Sequence, residues 1–204
     1  MTIYIPCYFN NNLEREQRFN LVIDAYQRLF KQIIVLWMNT TSPPYYNNVL
    51  YINSCRLSAP AARNKLLTIF YNSSEKECIL SDDDTVVLDL SILDIKGDCI
   101  SYVNDKYVHN LSPYYISSAI LKLNNLKLKY NKEIYFDEDL EIGQDLDFGL
   151  QLYKENIYGC RYSTSSVEIY NGISVLCPSK LTRRIKYQET IKLLQTKHNI
   201  TIFY

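Results

Sequence analysis

Cys78-Ile79-Leu80-Ser81-Asp82-Asp83-Asp84-Thr85-Val86-Val87 runs from a short apolar segment into three consecutive carboxylates and out into a second apolar segment. Three adjacent like charges repel one another, so such a cluster persists where a cation or solvent neutralises it. A short apolar run bounded by polar residues fits a strand buried in a parallel sheet. Ligands of open α/β sheets bind beyond the carboxyl ends of the strands, which is where these acids would fall. Hard oxygen ligands in that place suit Mg²⁺ or Mn²⁺ holding a phosphate. The same letters also fit a plainer reading, in which Ser81 and the acids cap a helix starting near Thr85 or form a solvated loop.

Upstream of the acids, strand-like and helix-like stretches alternate. Residues 3–8 read as a first strand, closed by Asn10, Asn11 and Asn12. A helix follows, with Leu21, Val22, Ala25, Tyr26, Leu29 and Phe30 at helical spacing, an asparagine cap and Glu14 in its first turn. Residues 33–37 form a second strand, stopped by Asn39 and Ser42-Pro43-Pro44, and 49–52 a short third. Ser58 caps the next helix, with Pro60 in its first turn. This order predicts a parallel sheet wound with helices.

Downstream the pattern changes. Residues 99–103 and 107–111 read as antiparallel strands, and 114–128 as a strand leading into a short helix. A helix is predicted over 144–157 with Leu146, Leu150, Tyr153 and Ile157 on one face, then a strand over 159–170. The final helix, 179–198, is basic: it carries Lys180, Arg183, Arg184, Lys186, Lys192 and Lys197.

The chain has 22 basic and 22 acidic residues among 204, so no global field draws it to nucleic acid or membrane. Its six cysteines (Cys7, Cys55, Cys78, Cys99, Cys160, Cys177) form no C-x-x-C pair, and only His109 and His198 could add nitrogen ligands, which argues against a zinc site. No apolar run approaches the ~20 residues of a membrane span. The sequence opens on a strand-like run without the charged and apolar regions of a secretory leader. A soluble, cytoplasmic protein is expected.

Three stretches, in this order, resemble the inverting GT-A glycosyltransferases of the large second family. Ile5-Pro6-Cys7-Tyr8 looks like the start of that fold, where the nucleotide base settles. Ala61-Ala62-Arg63-Asn64 is similar to the family's A-R-N helix, and Asp82-Asp83-Asp84 to its D-x-D element. Ser117-Ser118-Ala119-Ile120-Leu121, then Phe136-Asp137-Glu138-Asp139-Leu140, then Gln144-Asp145-Leu146-Asp147-Phe148 resembles its acceptor-side segment. Three positions depart from the family pattern. Gln144 stands where the family often has Glu, Asn39 where an acid closes the second strand, and Tyr170 or Asn171 where a late His often completes the metal site.

The resemblance implies an α/β GT-A fold: a mostly parallel, Rossmann-like central sheet flanked by helices, with a small antiparallel acceptor-side sheet. One domain over 1–204 is expected, with a nucleotide-sugar half (about 1–85), an acceptor-side half (about 86–178) and the basic helix. It implies a nucleoside-diphosphate sugar as donor, a UDP-sugar first among them, contacted by Pro6, Tyr8, Asn39, Arg63, Asp82 and Asp83. Asp82 and Asp84 would hold Mn²⁺ or Mg²⁺, Asp145 would act as general base, and Ser118 and Asp147 would serve the acceptor side. Without the resemblance, Arg63 reads as a surface helix residue, and Asp145 and Asp147 as acids that complement a helix dipole.

Several readings stay open. The acceptor is a glycan or other cellular hydroxyl, or else a hydroxymethylated base in DNA, held by the basic final helix of a viral enzyme. The Asn-, Ile-, Lys- and Tyr-rich composition fits an AT-rich genome. A non-catalytic nucleotide-sugar-binding module of the same fold is a further alternative. A nucleotidyltransferase fits poorly, because the 5 glycines form no phosphate-cradling loop.

Overall fold

Strand β1 (Thr2–Cys7) alternates as a buried strand does, with Ile3, Ile5 and Cys7 packing on one face of its sheet and Tyr4 on the other. The computed structural model describes residues 1–9, 11–104, 114–169 and 180–202. Along its whole length β1 pairs in parallel with β2 (Gln32–Trp37), and β3 (Val49–Asn53) continues in parallel beyond β2. On its other side β1 meets β4 (Glu77–Ser81), but only through Thr2, Ile3 and Tyr4. Beyond that the two strands part, two residues before Pro6, which has no N–H to offer a neighbour.

The far side of the sheet reverses direction. Strand β7 (Ile120–Asn124) runs antiparallel between β4 and β6 (Cys99–Asn104), and β8 (Gly159–Thr164) closes the sheet parallel to β6. The order of the seven strands is β3-β2-β1-β4-β7-β6-β8. A separate antiparallel pair joins β5 (Thr85–Val87) to β9 (Val167–Ile169). The mostly parallel sheet and the small antiparallel one agree with the expected architecture. Because Thr85 begins a strand, the three acids form a strand-to-strand loop, and the helix-capping reading of Ser81–Asp84 falls.

Helix α1 (Leu13–Leu29) covers one face, burying Phe19, Val22, Ile23 and Tyr26 against Ile3, Ile5, Val35 and Trp37. Its cap is Asn12, whose side chain accepts from the N–H groups of Glu14 and Arg15. Helix α2 (Ala59–Tyr71) covers the other face with Ala62, Leu66, Leu67, Phe70 and Tyr71, and Ser58 caps it through the Ala61 N–H. A short α3 (Leu126–Tyr130) follows β7. Helix α4 (Gln144–Lys154) adds Phe148 and Leu152 to the second core. Its other side, Leu146 and Leu150, packs on Ile191 and Leu194 of α5 (Lys180–His198).

Three details differ from the sequence reading. The buried stripe of α1 is turned toward Phe19 and Ile23, leaving Leu21 54% exposed. Helix α4 stops at Lys154 because Asn156 takes the left-handed conformation (φ 54°) and Ile157 N–H bonds back to the Leu152 carbonyl. The strand expected over 159–170 is two strands belonging to different sheets. The strand expected over 107–111 lies outside the described residues, as do His109, Tyr170, Asn171 and Cys177.

One buried acid ties α3 to the sheet. Asp98 accepts from Tyr130 Oη at 2.6 Å, from Asn124 Nδ2 at 3.0 Å and from the Lys129 ammonium. Burial opposes its ionisation, but these bonds outweigh burial and hold the carboxyl below its usual range. Its contribution to stability is therefore present in full above the ordinary carboxylate value of about 3.9 and is lost as pH falls from there through the lowered folded-state value. Asp98→Asn is expected to cost about 1–2 kcal/mol at neutral pH. Urea unfolding of both proteins checks this. The gap should narrow at about pH 3, and an equal gap at both pH values would assign the loss to packing.

Candidate active site

The order of strands changes direction at β1 and β4, and open α/β sheets bind ligands at such a switch point. A cleft of about 850 Å³ opens there. Its lining includes Pro6 of β1, Tyr8 just after it, Arg15 of α1, Arg56 and Ser58 before α2, Arg63 of α2, and all three acids. Glu138, Leu140, Glu141, Ile142 and Gln144 form its opposite lip.

The acid loop is pinned from below. Tyr26 Oη lies 3.0 Å from Ser81 Oγ and donates to the Thr85 carbonyl at 2.9 Å, so α1 grips the loop at both ends. Within it, each acid meets a different environment. Asp82 accepts from Arg63 Nη2 at 2.6 Å. Asp83 is buried, accepting from Arg15 Nη2 at 3.0 Å and from the Tyr8 N–H at 3.4 Å. Burial pushes its carboxyl up to about 6, against the pull of Arg15. Asp84 accepts from the Thr85 hydroxyl at 3.2 Å and makes no ion pair among the described residues; burial and Asp82 push its carboxyl upward.

Asn39 sits beneath the cleft and not in it. Its Oδ1 accepts from Phe9 N–H at 2.6 Å and its Nδ2 donates to the Cys7 carbonyl at 3.4 Å, which fixes the loop carrying Tyr8. Arg56 lies 4.9 Å above the Tyr8 ring, a cation–π contact at the same end of the cleft.

Arg63 is the hinge between the two halves of the site. It is 8% exposed, its guanidinium lies 5.7 Å from the centre of the Phe136 ring, and its Nε is buried without a hydrogen-bond partner. The neighbouring Asn64 brackets Phe136: Nδ2 donates to the Phe136 carbonyl and Oδ1 accepts from the Phe136 N–H, both at 2.8 Å. The same Nδ2 reaches Glu138 Oε1 at 2.8 Å. These contacts explain why the A-R-N and F-D-E stretches occur together.

Asp145 faces this hinge from the first turn of α4, which starts at Gly143 in the left-handed conformation (φ 86°). Tyr115 Oη donates to Asp145 Oδ2 at 3.0 Å, and buried Ser118 is a second side-chain partner. Burial pushes the Asp145 carboxyl up, while Arg63 and the two hydroxyls pull it back toward ionisation. The structure thus brings Pro6, Tyr8, Arg63, Asp82, Asp83, Asp84, Ser118 and Asp145 into one neighbourhood.

Asp147 is placed elsewhere. It is fully buried on the far side of α4, 2.7 Å from His198 Nε2, 2.8 Å from Lys197 Nζ and 2.7 Å from Gln151 Nε2. That geometry anchors α5 and keeps Asp147 off the cleft wall, where the expected acceptor-side place would have put it. Arg15, Arg56 and Tyr115, absent from the sequence-derived site, stand in or beside it.

The donor set suits a hard divalent cation. Asp82 and Asp84 offer carboxylate oxygens on one wall of the cleft, and Mg²⁺ is held by one or two carboxylates together with substrate phosphates. Among the described residues no group of three or more His, Cys, Asp or Glu side chains forms a closed metal site.

This arrangement of sheet, switch-point cleft and acid loop is the GT-A fold. No family model and no curated protein matches the sequence. Solved structures do. S. aureus TarS in complex with UDP aligns over 96% of this chain and 64% of its own, with TM-score 0.61 and 14% identity. The mannosyltransferase PcManGT from Pyrobaculum calidifontis, in complex with GDP-Man and Mn²⁺, aligns over 96% and 63%, with TM-score 0.66 and 10% identity. Glucosyl-3-phosphoglycerate synthase from Mycobacterium tuberculosis, in complex with Mn²⁺, UDP and glucosyl-3-phosphoglycerate, aligns over 98% and 80%, with TM-score 0.61 and 12% identity. The chain spans less than two thirds of the length of the first two.

Removing Asp147 would leave the buried His198 without its acid, while Lys197, whose side chain is 39% exposed, keeps Asp137. Asp147→Ala is expected to cost about 1–3 kcal/mol and to leave the cleft lining in place. Urea unfolding of both proteins checks this, and equal midpoints would show that Asp147 does not fasten α5.

Proposed function

We propose that the chain transfers a sugar from a nucleoside-diphosphate donor to an acceptor hydroxyl. The observation that carries this reading is the line Asp82–Arg63–Asp145, which puts a carboxylate for the donor end and a carboxylate for the acceptor end on one guanidinium. Tyr8 and Arg56 offer a flat, cationic platform for a nucleoside, and a UDP-sugar is the expected donor. Asp82 and Asp84 would hold Mn²⁺ or Mg²⁺, which when bound offsets the charge that builds on the departing diphosphate. Asp145 accepts the proton that the acceptor hydroxyl loses as it attacks the anomeric carbon. With Asp145 as a single base and no enzyme nucleophile in this reading, the step corresponds to one displacement with inversion at the anomeric carbon. Arg63 stays protonated between its two acids and holds both in register.

The acceptor in this reading is a glycan or another hydroxyl compound. Lys197 is engaged by Asp137 and Asp147, and Lys186 by Glu141, while the side chains of Lys180, Arg183 and Arg184 lie outside the described residues. No described helix is long and apolar enough to cross a membrane.

Two variants test the assignment. Asp84→Ala is expected to abolish Mn²⁺-stimulated release of UDP from a UDP-sugar without lowering the melting temperature, and equal turnover in chelator and in Mn²⁺ would remove the cation from the reaction. Asp145→Asn is expected to keep the donor-induced thermal shift while transfer falls by roughly 10²-fold or more. A parallel fall in donor affinity would make Asp145 a donor-binding residue, and donor binding with no turnover in any variant or parent would make the chain a binding module.

A further inference from the structure

The reaction proposed above uses Asp145, but nothing in it accounts for the group that holds this carboxylate in place. Tyr115 does so from a different part of the chain. Its Oη donates to Asp145 Oδ2 at 3.0 Å, and its own backbone neighbour Ile116 donates N–H to the Asp145 carbonyl at 3.2 Å. The segment is pressed onto α4 at a point where only glycine fits: a Cβ on Gly149 would lie 1.8 Å from the Tyr114 carbonyl oxygen. A glycine in the middle of a helix costs about 1 kcal/mol relative to alanine, and here it permits that close approach. The Tyr115 ring packs with Tyr187 against the Leu146, Leu150, Ile191 and Leu194 cluster between α4 and α5. The phenol is therefore fixed by two helices before it reaches the carboxylate.

We propose that Tyr115 is a positioning residue for the reaction, holding Asp145 through Oδ2 in the orientation in which the carboxylate receives the acceptor proton. The proposal rests on Asp145 being the base. The groups that face Asp145 are Arg63 from α2, Asp82 from the end of β4, and Tyr115 and Ser118 from the segment before β7; Tyr187 of α5 lies behind Tyr115. Of these, the two hydroxyls donate to the ionised carboxylate, and Arg63 stabilises it through charge. Loss of either hydroxyl makes ionisation harder as well as loosening the side chain.

The test uses the full chain with Tyr115→Phe, which keeps the ring, and Ser118→Ala as a second variant. Carboxyl ¹³C NMR titration, with the Asp145 signal identified by its loss in Asp145→Asn, needs no donor. The midpoint is expected to move upward in both variants. Sugar transfer by Tyr115→Phe is expected to fall about tenfold in kcat with donor KM unchanged, and its acid limb to move to higher pH. An Asp145 titration unchanged in both variants overturns the proposal, as does a loss of kcat whose pH profile superimposes on that of the parent. If Asp145→Asn transfers sugar normally, it is the base assignment that fails, and the titration still reports whether Tyr115 holds the carboxylate.

Discussion

Arg63 is a guanidinium taken almost wholly out of water, and the site is built around making that tolerable. Transferring such a charge from water costs several kcal/mol unless opposite charge and hydrogen bonds replace the lost solvent. Asp82 does so at 2.6 Å, Asp145 adds a second negative charge, and the face of Phe136 takes the remaining side. Each partner comes from a different place: the loop after β4, helix α4 and the segment leading into it. The arginine therefore sets the distance between Asp82 and Asp145, the two carboxylates that the proposed reading gives to the donor and to the acceptor. Asn64, one residue on, fixes the Phe136 backbone in both directions, so the same turn of α2 locates the ring that Arg63 lies on.

The other acids follow the same logic with different outcomes. Asp83 is matched by Arg15 of α1, and Asp147 by Lys197 and His198 of α5. Each of these pairs spans layers, so the charges near the cleft also fasten the helices to one another. Asp84 has no such partner among the described residues, and its environment penalises its charge. Under the proposed reading it is the acid whose neutralisation is left to a cation arriving with the donor.

What could be read from the sequence was what is local. The alternation of strands and helices, the Asn12 and Ser58 caps and the apolar strand ending in acids need only neighbours within a few positions. The stripe of α1 holds at Val22, Ala25, Tyr26, Leu29 and Phe30 but not at Leu21, because Leu21 and Ile23 are equally apolar and only the sheet decides which faces inward. Arg15, Arg56 and Tyr115 were not legible, since their meaning lies in partners far along the chain: Asp83, Tyr8 and Asp145. Nor could composition place the basic residues of α5, two of which, Lys186 and Lys197, pair with acids at 137, 141 and 147.

Asp145 and Asp147 show where a local rule would have sufficed. Residues two apart on an α-helix are turned roughly 200° from one another, so two acids at that spacing cannot both address one cleft. Asp145 turns to Arg63, which leaves Asp147 facing α5. There the helix N-terminus favours its charge, and Lys197 and His198 complete it. The same two ends grip the lip between them: Asn64 holds Glu138, Lys197 holds Asp137, Lys186 holds Glu141, and Gln144 Nε2 donates to the Leu140 carbonyl at 2.7 Å. A lip tied at so many points offers a fixed surface, and under the proposed reading it selects an acceptor by the shape and charge of Glu138, Leu140, Ile142 and Gln144. Since Glu138 and Glu141 give that surface a negative sign, a polyanionic acceptor would meet repulsion there, whereas a neutral polyhydroxyl compound would find acceptors for its hydroxyl protons.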